Sequence, residues 1–483
     1  MQGCASMTQE LAAPRGEVEG SLCIMGAQEP RLNQAPKTSH VSYISLLPTE
    51  LLEMIIVETV RASTGADDDR SASRKPTGLY FRPRPELLLA SVSQHWRAVA
   101  LGIPLLWTEI HLFLGQSLDL LDLYLMRSQG QLLDIRFTGI LCNIRTQGSP
   151  ELEPDYLQVS NIILSHIHVC RRLEVHADFP FPKLLDAIGR TKAPMLEELI
   201  VHYPPDIPNN RPLLFTEGLP SLRYAELGNF SSISRDLFLS GDHLTALTLS
   251  GRWATGLSPE SFHDLLSCLT KLTHLTLVGE PVDYVRSGDH PVVEIPSLET
   301  LVLKPEANIS RMYLPSVFRT IRAPALRKLV LDFHNVNSSR ELQSLVDKLK
   351  HEEPPFPSVC HLTLRCRSII HGGWLALAHA FSGITSLSVS RYITNQLMCF
   401  VSCTGRRDAF PCLRTLWFDD VQFEWSLLFQ LLQIREAVGL PVREVKMKGF
   451  KFKEHAQSVI NGSFGKLVEG SLAAHAAVLI GWT

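Results

Sequence analysis

Two short stretches combine side chains that could bind a metal ion. Ser165-His166-Ile167-His168 places two histidines two residues apart, and Cys399, Cys403 and Cys412 have spacings that resemble part of a metal site. A structural zinc ion takes four ligands, and neither group is joined by the missing ligands at a familiar spacing. We therefore interpret the histidines as core or surface residues. Metal binding by the cysteines is the lesser alternative to a structural role.

Two further stretches have charges or glycines typical of phosphate or acid–base chemistry. Gly462-Ser463-Phe464-Gly465-Lys466 resembles a phosphate-binding loop, but its glycines are too close together and Leu467 occupies the magnesium-binding position. Asp67-Asp68-Asp69 lies in a polar segment that offers no rigid partner to shift a pKa. Because no catalytic set of residues assembles, we expect a protein that is not an enzyme and has no cofactor.

Composition excludes several classes of protein. The 483 residues are 45% hydrophobic and 20% charged with a net charge of −3, which argues against a nucleic-acid partner or an anionic membrane partner. The ten cysteines form no dense framework and the first ten residues do not resemble a secretory signal, so we expect a cytoplasmic or nuclear location, or both. The late apolar run from Leu472 to Trp482 is shorter than the ~20 residues that span a bilayer.

The stretch from Ser45 to Leu112 has the pattern of two short amphipathic helices separated by a loop. Pro48 keeps the preceding residue out of the helical region, and Thr49 can cap the first turn. Apolar residues then recur at helical spacing: Leu51, Leu52, Ile55, Ile56 and Val60. These features predict a first helix that begins near Thr49.

A second helix is expected to begin at Pro85, a residue favoured in the first turn, and to end before Gly102. Its apolar residues are expected on one face: Leu88, Val92, Trp96 and Val99. The intervening residues 61–84 are polar and charged, which predicts an exposed and flexible insertion. A loop that is phosphorylated or docks a partner is the alternative.

Three motifs in this stretch resemble the F-box in the form common among fungal proteins: Leu47-Pro48-Thr49-Glu50-Leu51-Leu52, Val92-Ser93-Gln94-His95-Trp96-Arg97 and Pro104-Leu105-Leu106-Trp107. The resemblance implies docking on a Skp-family adaptor, which links the chain to cullin and RING subunits. The positions that match the adaptor-binding motif are Leu47, Pro48, Leu51, Leu52, Ile55, Val92 and Trp96. Family members usually join the two halves by a short connection, whereas here residues 61–84 intervene.

An apolar motif recurs along the rest of the chain, with apolar residues at the first, fourth and sixth positions. Copies begin at Leu132, Cys170, Leu196, Leu222, Leu244, Leu272, Leu298, Leu326, Val359, Ile384, Leu413 and Val442. From Cys170 to Val442 the mean period is about 27 residues, within the range of about 20 to 29 for leucine-rich repeats. The array therefore resembles that superfamily, with irregular steps.

Helical patterns separate several of these copies, at 258–269, 339–349, 374–381 and 424–438. Repeated strand–helix units predict an α/β fold in which a small helical F-box subdomain precedes an irregular leucine-rich-repeat solenoid with a parallel inner sheet and outer helices. The expected segments are a disordered 1–40, an F-box-like 41–112, a solenoid over 113–450 and a C-terminal cap over 451–483.

These resemblances imply a substrate-recognition subunit of an SCF-type E3 ubiquitin ligase, whose F-box docks on the adaptor and whose repeats bind an unknown protein substrate for ubiquitin-dependent degradation. The alternative is a leucine-rich-repeat scaffold or interaction protein that acts outside a ubiquitin ligase, which the 61–84 insertion favours. Co-purification with the adaptor separates the two.

Side-chain alternation in the later strands predicts which residues meet a substrate. The residues between the buried leucines point to the opposite face of the sheet, since side-chain direction has a period of two. We expect Trp417 to be the main contact. Arg365 would meet an acidic or phosphorylated group, and Lys328 and His361 complete the expected site. The alternative is that the C-terminal segment covers Trp417.

Overall fold

The structure is a computed structural model that describes most of the chain between residues 47 and 448. The described residues are 47–65, 84–113, 116, 118–138, 153–176, 182–202, 218–230, 233, 243–251, 256–284, 290–306, 309–334, 340–349, 356–369, 371–390, 393–404, 409–419 and 425–448. The expected disordered segment 1–40 and the expected cap 451–483 lie outside them.

Three helices at the start of the described chain form one helical unit, residues 47–65 and 84–107. They are α1 (Thr49–Gly65), α2 (Pro85–Val92) and α3 (Gln94–Leu101), followed by a 3₁₀ turn at Pro104–Trp107. The expected second helix is therefore two helices, because Ser93 adopts an extended conformation and its hydroxyl accepts the N–H of Trp96 at 3.2 Å. Helix α1 continues to Gly65, so residues 61–65 of the expected flexible insertion are helical.

Thirteen of the fifteen strands in the described residues form one parallel sheet, paired in chain order. These strands are β1 (Glu109–Phe113), β2 (Leu133–Thr138), β3 (Cys170–His176), β4 (Glu198–His202), β5 (Tyr224–Gly228), β6 (Ala246–Gly251), β7 (His274–Gly279), β9 (Thr300–Lys304), β11 (Lys328–Asp332), β12 (His361–Arg365), β13 (Ser386–Ser390), β14 (Thr415–Asp419) and β15 (Glu444–Lys448). The short β8 (Val293–Glu294) and β10 (Ile321–Arg322) pair with each other.

The predicted α/β class with a parallel sheet and helices is confirmed, and it is compatible with a solenoid-like fold. Equivalent motif residues of neighbouring strands lie in register, as in Leu329 beside Leu362 and Leu362 beside Leu387. The motif positions within the strands are buried in copy after copy. Stacked in this way, each strand buries its apolar side chains against those of its two neighbours.

A recurring tight turn sets the start of many strands. In this turn an apolar residue precedes Pro-x-Leu or Pro-x-Val. The carbonyl of that apolar residue accepts the N–H of the residue three positions later; for example, the N–H of Leu298 donates to the carbonyl of Ile295 at 3.2 Å. Proline fits the second position of such a turn because its φ is preset. The turns begin at Ala193, Leu219, Ile295, Ala323, Phe356 and Phe410, all of which are buried.

Helices connect most of the strands. They are α4 (Leu118–Arg127), α5 (Glu153–His166), α6 (Pro182–Gly189), α7 (Pro259–Ser267), α8 (Tyr313–Thr320), α9 (Arg340–Leu349), α10 (His371–Ala380), α11 (Thr394–Thr404) and α12 (Trp425–Ala437). The four helices predicted from sequence correspond to α7, α9, α10 and α12. Helix α7 is capped as expected, since the Ser258 hydroxyl accepts the N–H of Ser261 at 3.1 Å.

Arg435 of α12 joins the last repeats. Its buried guanidinium donates to the carbonyls of Ala409, Phe410, Leu413 and Leu440 at 2.9 to 3.4 Å. Phe410 has a φ of 53°, which is uncommon for a residue with a side chain. Because burial favours the uncharged form, the pKa of Arg435 is lowered. The guanidinium thus satisfies carbonyls that would otherwise be buried without donors.

Candidate protein-binding surfaces

The helical unit has a small core that fixes its three helices. Leu52 and Ile56 of α1 are buried together with Trp96 and Val99 of α3. The indole N–H of Trp107 donates to the carbonyl of Ala100 at 3.1 Å, which ties the 3₁₀ turn to the end of α3. The core thus uses one face of each helix and leaves other apolar residues outside it.

Five large apolar side chains on α1 and α2 remain exposed. Leu51, Met54 and Ile55 follow helical spacing along α1, and Leu88 and Val92 do so on α2, with exposed fractions between 43% and 58%. The two helices pack against each other. A unit of this size cannot bury all of its apolar residues, and clustered exposed apolar residues are typical of sites that bind another protein.

The predicted adaptor-binding residues fall into two groups. Pro48, Leu51, Ile55 and Val92 are exposed and Leu47 is half-buried, whereas Leu52 and Trp96 are buried. The buried pair therefore supports the positions of the helices. Trp96 and Leu88 do not share one face, because the break at Ser93 turns α3 relative to α2. The sequence analysis did not place Met54 or Leu88 among the adaptor-binding positions, although Leu88 was expected on the apolar face of the second helix and Met54 lies three residues after Leu51.

The helical unit is fixed to the first repeat by a cluster of aromatic and charged side chains. The hydroxyl of Tyr124 on α4 donates to the buried carboxylate of Glu86 on α2. The guanidinium of Arg84 lies 4.9 Å from the Tyr124 ring centroid, and the rings of Tyr124 and Trp107 meet edge to face at 5.1 Å. Burial, followed by the neighbouring Glu86 carboxylate, raises the pKa of Tyr124. This contact holds α2 against the start of the sheet.

The C-terminal part of the sheet, β11–β15, presents the predicted substrate-binding residues on one face. Aligned residues of neighbouring strands form rows across this face. Lys328 and His361 are neighbours in the row nearest the N-terminal ends of the strands, and both are exposed. Arg365 lies at the other end of β12 and pairs with Asp332 at 3.5 Å. Trp417 lies in the middle row on β14. All four residues are on the outward face that strand alternation predicted, and Trp417 is two strands away from β12.

Trp417 is 40% exposed. The ammonium group of Lys446 on β15 lies 4.6 Å from the Trp417 ring centroid and 2.9 Å from the Glu444 carboxylate. The cation and the ring attract each other, which restrains both side chains. The expected C-terminal cap, which was the alternative cover for Trp417, lies outside the described residues.

The N-terminal part of the sheet, β1–β5, carries a network of ion pairs on the same face. Glu174 accepts from Arg136 at 2.8 Å, from Arg172 at 3.3 Å and from His176 at 2.7 Å. His176 stacks on His202 with ring centroids 4.8 Å apart, and His202 bonds Glu226 at 3.1 Å. Sequence reasoning did not find this network, whose members come from different repeats.

The carboxylates of this network are held in the charged form. Burial alone would raise the pKa of Glu174, but the hydrogen bond from His176 and the charges of Arg136 and Arg172 outweigh it and lower the pKa to about 2. Burial opposes the charged form of Glu226 as well, and the hydrogen bond from His202 lowers its pKa overall. Partners within the chain therefore hold both carboxylates in the charged form.

Among the described residues, no group of three or more His, Cys, Asp or Glu side chains is placed to hold a metal ion. His166 ends α5 and His168 lies in the following 3₁₀ turn. The Asp67–Asp69 run and the Gly462–Lys466 stretch lie outside the described part of the chain. Within that part, no helix is long and apolar enough to cross a membrane.

Comparison with known proteins returned neither a matching family model nor a matching curated protein. Two surfaces of the described chain could bind a partner: the exposed apolar residues of the helical unit and the outward face of β11–β15.

Proposed function

We propose that the chain is the substrate-recognition subunit of an SCF-type E3 ubiquitin ligase, with the helical unit acting as an F-box. The observation that carries the proposal is the exposure of Leu51, Ile55 and Val92, which match adaptor-binding positions of the F-box motif. Burying a fully exposed side chain of this kind contributes about 1.5–3 kcal/mol. These side chains are about half-exposed, so each contributes about half of that, and an adaptor that covers several of them gains a large part of its affinity there.

The sheet face of β11–β15 would bind the protein that is ubiquitinated. Strands in register hold Lys328, His361, Arg365 and Trp417 at fixed separations, as a recognition surface requires. The chain itself performs no bond chemistry in this role. It raises the effective concentration of a target lysine near the ubiquitin-charged enzyme, and proximity of this kind can supply several kcal/mol of the barrier reduction.

The contact between Glu86 and Tyr124 supports this division of labour. An adaptor-bound subunit must hold its target at a fixed distance from the rest of the ligase, which a flexible joint between the two surfaces would not do. Because α2 is fixed to α4 through Glu86, Arg84 and Tyr124, the adaptor-binding helix and the sheet are part of one packed structure.

A second candidate is a leucine-rich-repeat scaffold that binds proteins outside any ubiquitin ligase. The observation that favours it is the separation of α1 and α2 by residues 66–84, longer than the connection usual in an F-box. Both functions use the sheet face, and they differ in what covers the exposed apolar residues of α1 and α2.

Double replacement of Pro48 and Leu51 by Ala tests the proposal. Both side chains are exposed, so the fold should persist while co-purification of the tagged full chain with a Skp-family adaptor falls at least tenfold. The matched control is Glu53→Ala with Glu58→Ala, which alters exposed polar positions of the same helix. Adaptor recovery that is unchanged in the Pro48/Leu51 variant would refute the ligase function and favour the scaffold.

A further inference from the structure

Three serines form a strip of small side chains along the outward face of β13. Ser386, Ser388 and Ser390 alternate with the buried Leu387 and Val389. In the register of the sheet, Ser388 has Thr363 of β12 on one side and Trp417 of β14 on the other. Adjacent strands are about 4.8 Å apart, so β12 and β14 flank this serine strip at a separation of about 10 Å.

The difference in size between the serine strip and Trp417 implies a shallow groove with Trp417 as one wall. A serine side chain ends two atoms from the backbone, whereas the indole of Trp417 projects well above it. Among the described residues of the sheet strands, Trp417 is the large apolar side chain that stays exposed. The groove runs along the strand for about 13 Å from Ser386 to Ser390, the length of about four extended residues.

Cations predominate around the groove. On the outward face of β9 and β11–β15, the described side chains include four cations and two carboxylates: Lys304, Lys328, Arg365 and Lys446 with Asp332 and Glu444. On β1–β5 the balance is reversed, with five carboxylates and three guanidinium groups: Glu109, Asp134, Glu174, Glu198 and Glu226 with Arg136, Arg171 and Arg172. An acidic ligand is therefore attracted to one end of the sheet and repelled from the other.

We propose that the serine strip and Trp417 bind an extended acidic segment of the target protein that contains an aromatic or large aliphatic side chain. The apolar side chain lies on the serine strip against the indole, and flanking carboxylates meet Lys446 on one side and Arg365 on the other. This inference deepens the proposed function, on which it rests, by giving the chemistry of the recognised segment.

The partners of the two cations favour carboxylates over phosphate. Arg365 already pairs with Asp332, and Lys446 pairs with Glu444 while lying over Trp417. The partner carboxylate therefore reduces the net positive potential at each cation, which suits a singly charged carboxylate better than a phosphate. A phosphate carries a charge of about −1.5 to −2 and is usually met by a cluster of unpaired arginines.

Peptide binding to the full-length chain tests the proposal by fluorescence anisotropy. The probe is fluorescein-labelled Gly-Asp-Glu-Phe-Asp-Glu-Gly. Replacement of its Phe by Gly, or of its acidic residues by Lys, should weaken binding at least tenfold. Raising NaCl from about 0.05 M to about 0.5 M should weaken binding of the probe, because exposed charges are screened. Equal affinity for the acidic and basic peptides would overturn the proposal.

Variants locate the binding site. Trp417→Ala and Ser388→Tyr should each weaken probe binding at least tenfold, the second by filling the groove. The matched control is Thr276→Tyr, which places the same ring at the equivalent middle-row position of β7. Thermal melts establish that the three variants are folded. If Ser388→Tyr and Thr276→Tyr affect binding equally, the groove is not the site.

A phosphorylated probe, with phosphoserine in place of the residue before Phe, separates the two anionic classes. Comparable or weaker binding supports the carboxylate assignment, and binding at least tenfold tighter than that of the acidic probe overturns it. The test is independent of the adaptor: absence of probe binding by a chain that still co-purifies with the adaptor refutes the groove and leaves the proposed function intact.

Discussion

The N-terminal and C-terminal parts of the outward sheet face share one backbone register but differ in whether their side chains have partners within the chain. On β3–β5, Glu174 has three donors and the rings of His176 and His202 stack between carboxylates. On β13 and β14, an exposed indole stands beside short serines. Partners within the chain thus satisfy the first surface, whereas the second keeps apolar area in contact with water.

This difference predicts that one region contributes mainly to stability and the other mainly to binding. Side chains that already bind one another are restrained and contribute little to the binding of an added ligand. Covering an exposed aromatic ring, in contrast, contributes favourable free energy to binding. We therefore expect substitutions on β3–β5 to change the free energy of unfolding and substitutions on β13 and β14 to change affinity.

Glu174→Gln should cause the largest loss of stability, about 2 kcal/mol at neutral pH, because it removes the shared acceptor of Arg136 and Arg172. The folded-state pKa of about 2 lies below the ordinary value of 4.5, so the stabilisation is fully present above about pH 4.5 and is lost as the pH falls toward 2. Urea unfolding of wild type and variant across this range measures the difference.

The control for this experiment is Glu299→Gln, which neutralises an exposed carboxylate just before β9. It should change the free energy of unfolding by no more than about 0.5 kcal/mol. Equal losses in the two variants would show that the network contributes no more than an ordinary surface charge.

Glu280→Gln should have a smaller effect of opposite sign. Glu280 lies in the turn after β7, between the two regions, and is buried; one carboxylate oxygen accepts the N–H of Ser310 at 3.0 Å and the other has no hydrogen-bond partner among the described residues. Burial raises its pKa to about 6, with a smaller contribution from Asp283. The folded chain therefore binds a proton more tightly than the unfolded chain does.

For Glu280 the stabilisation by the proton is complete below about pH 4.5 and is lost as the pH rises through 6. Glu280→Gln should consequently raise stability by about 1 kcal/mol at pH 7 and by little at pH 4.5. Differential scanning calorimetry at both pH values measures this, with Glu306→Gln in the equivalent turn after β9 as the exposed control. A lower melting temperature of Glu280→Gln at pH 7 would contradict the assignment.

Trp417→Ala should have the smallest effect on stability, below about 1 kcal/mol, because much of the indole is already in contact with water. The expected result is a melting temperature within a few degrees of wild type. A fall of ten degrees or more would show that Trp417 is a core residue or is covered by a cap, and would exclude it as a binding residue.

The spacing of apolar residues predicted the core of the sheet well. A buried strand has two apolar residues two positions apart, and the turn that precedes it has one more apolar residue three positions before the first of them. The first strand was missed for an identifiable reason. The residues at its first, fourth and sixth motif positions are buried: Trp107, Ile110 and Leu112. The first position, where leucine is the commonest residue in the other copies, is a tryptophan here. That residue thus serves both the end of the helical unit and the first repeat.

The candidate surfaces were harder to predict. Leu51 and Leu52 are adjacent and chemically identical, and only the packing of α1 on α3 decides which is exposed. Arg136 and Glu174 are 38 residues apart, and their contact depends on the length of an irregular connection. The helix break at Ser93 was hidden because Val92, Trp96 and Val99 continue the helical spacing across it.

The pairing of the strands in chain order has a consequence for biosynthesis. Each strand of the main sheet hydrogen-bonds with its nearest sheet neighbours in the sequence, so contacts are local on the scale of one repeat. A nascent chain can therefore extend the sheet one strand at a time as it leaves the ribosome, without waiting for its C-terminus. During this growth the next strand always pairs with the most recently added one, and a translational pause would leave the edge of that strand available to chaperones.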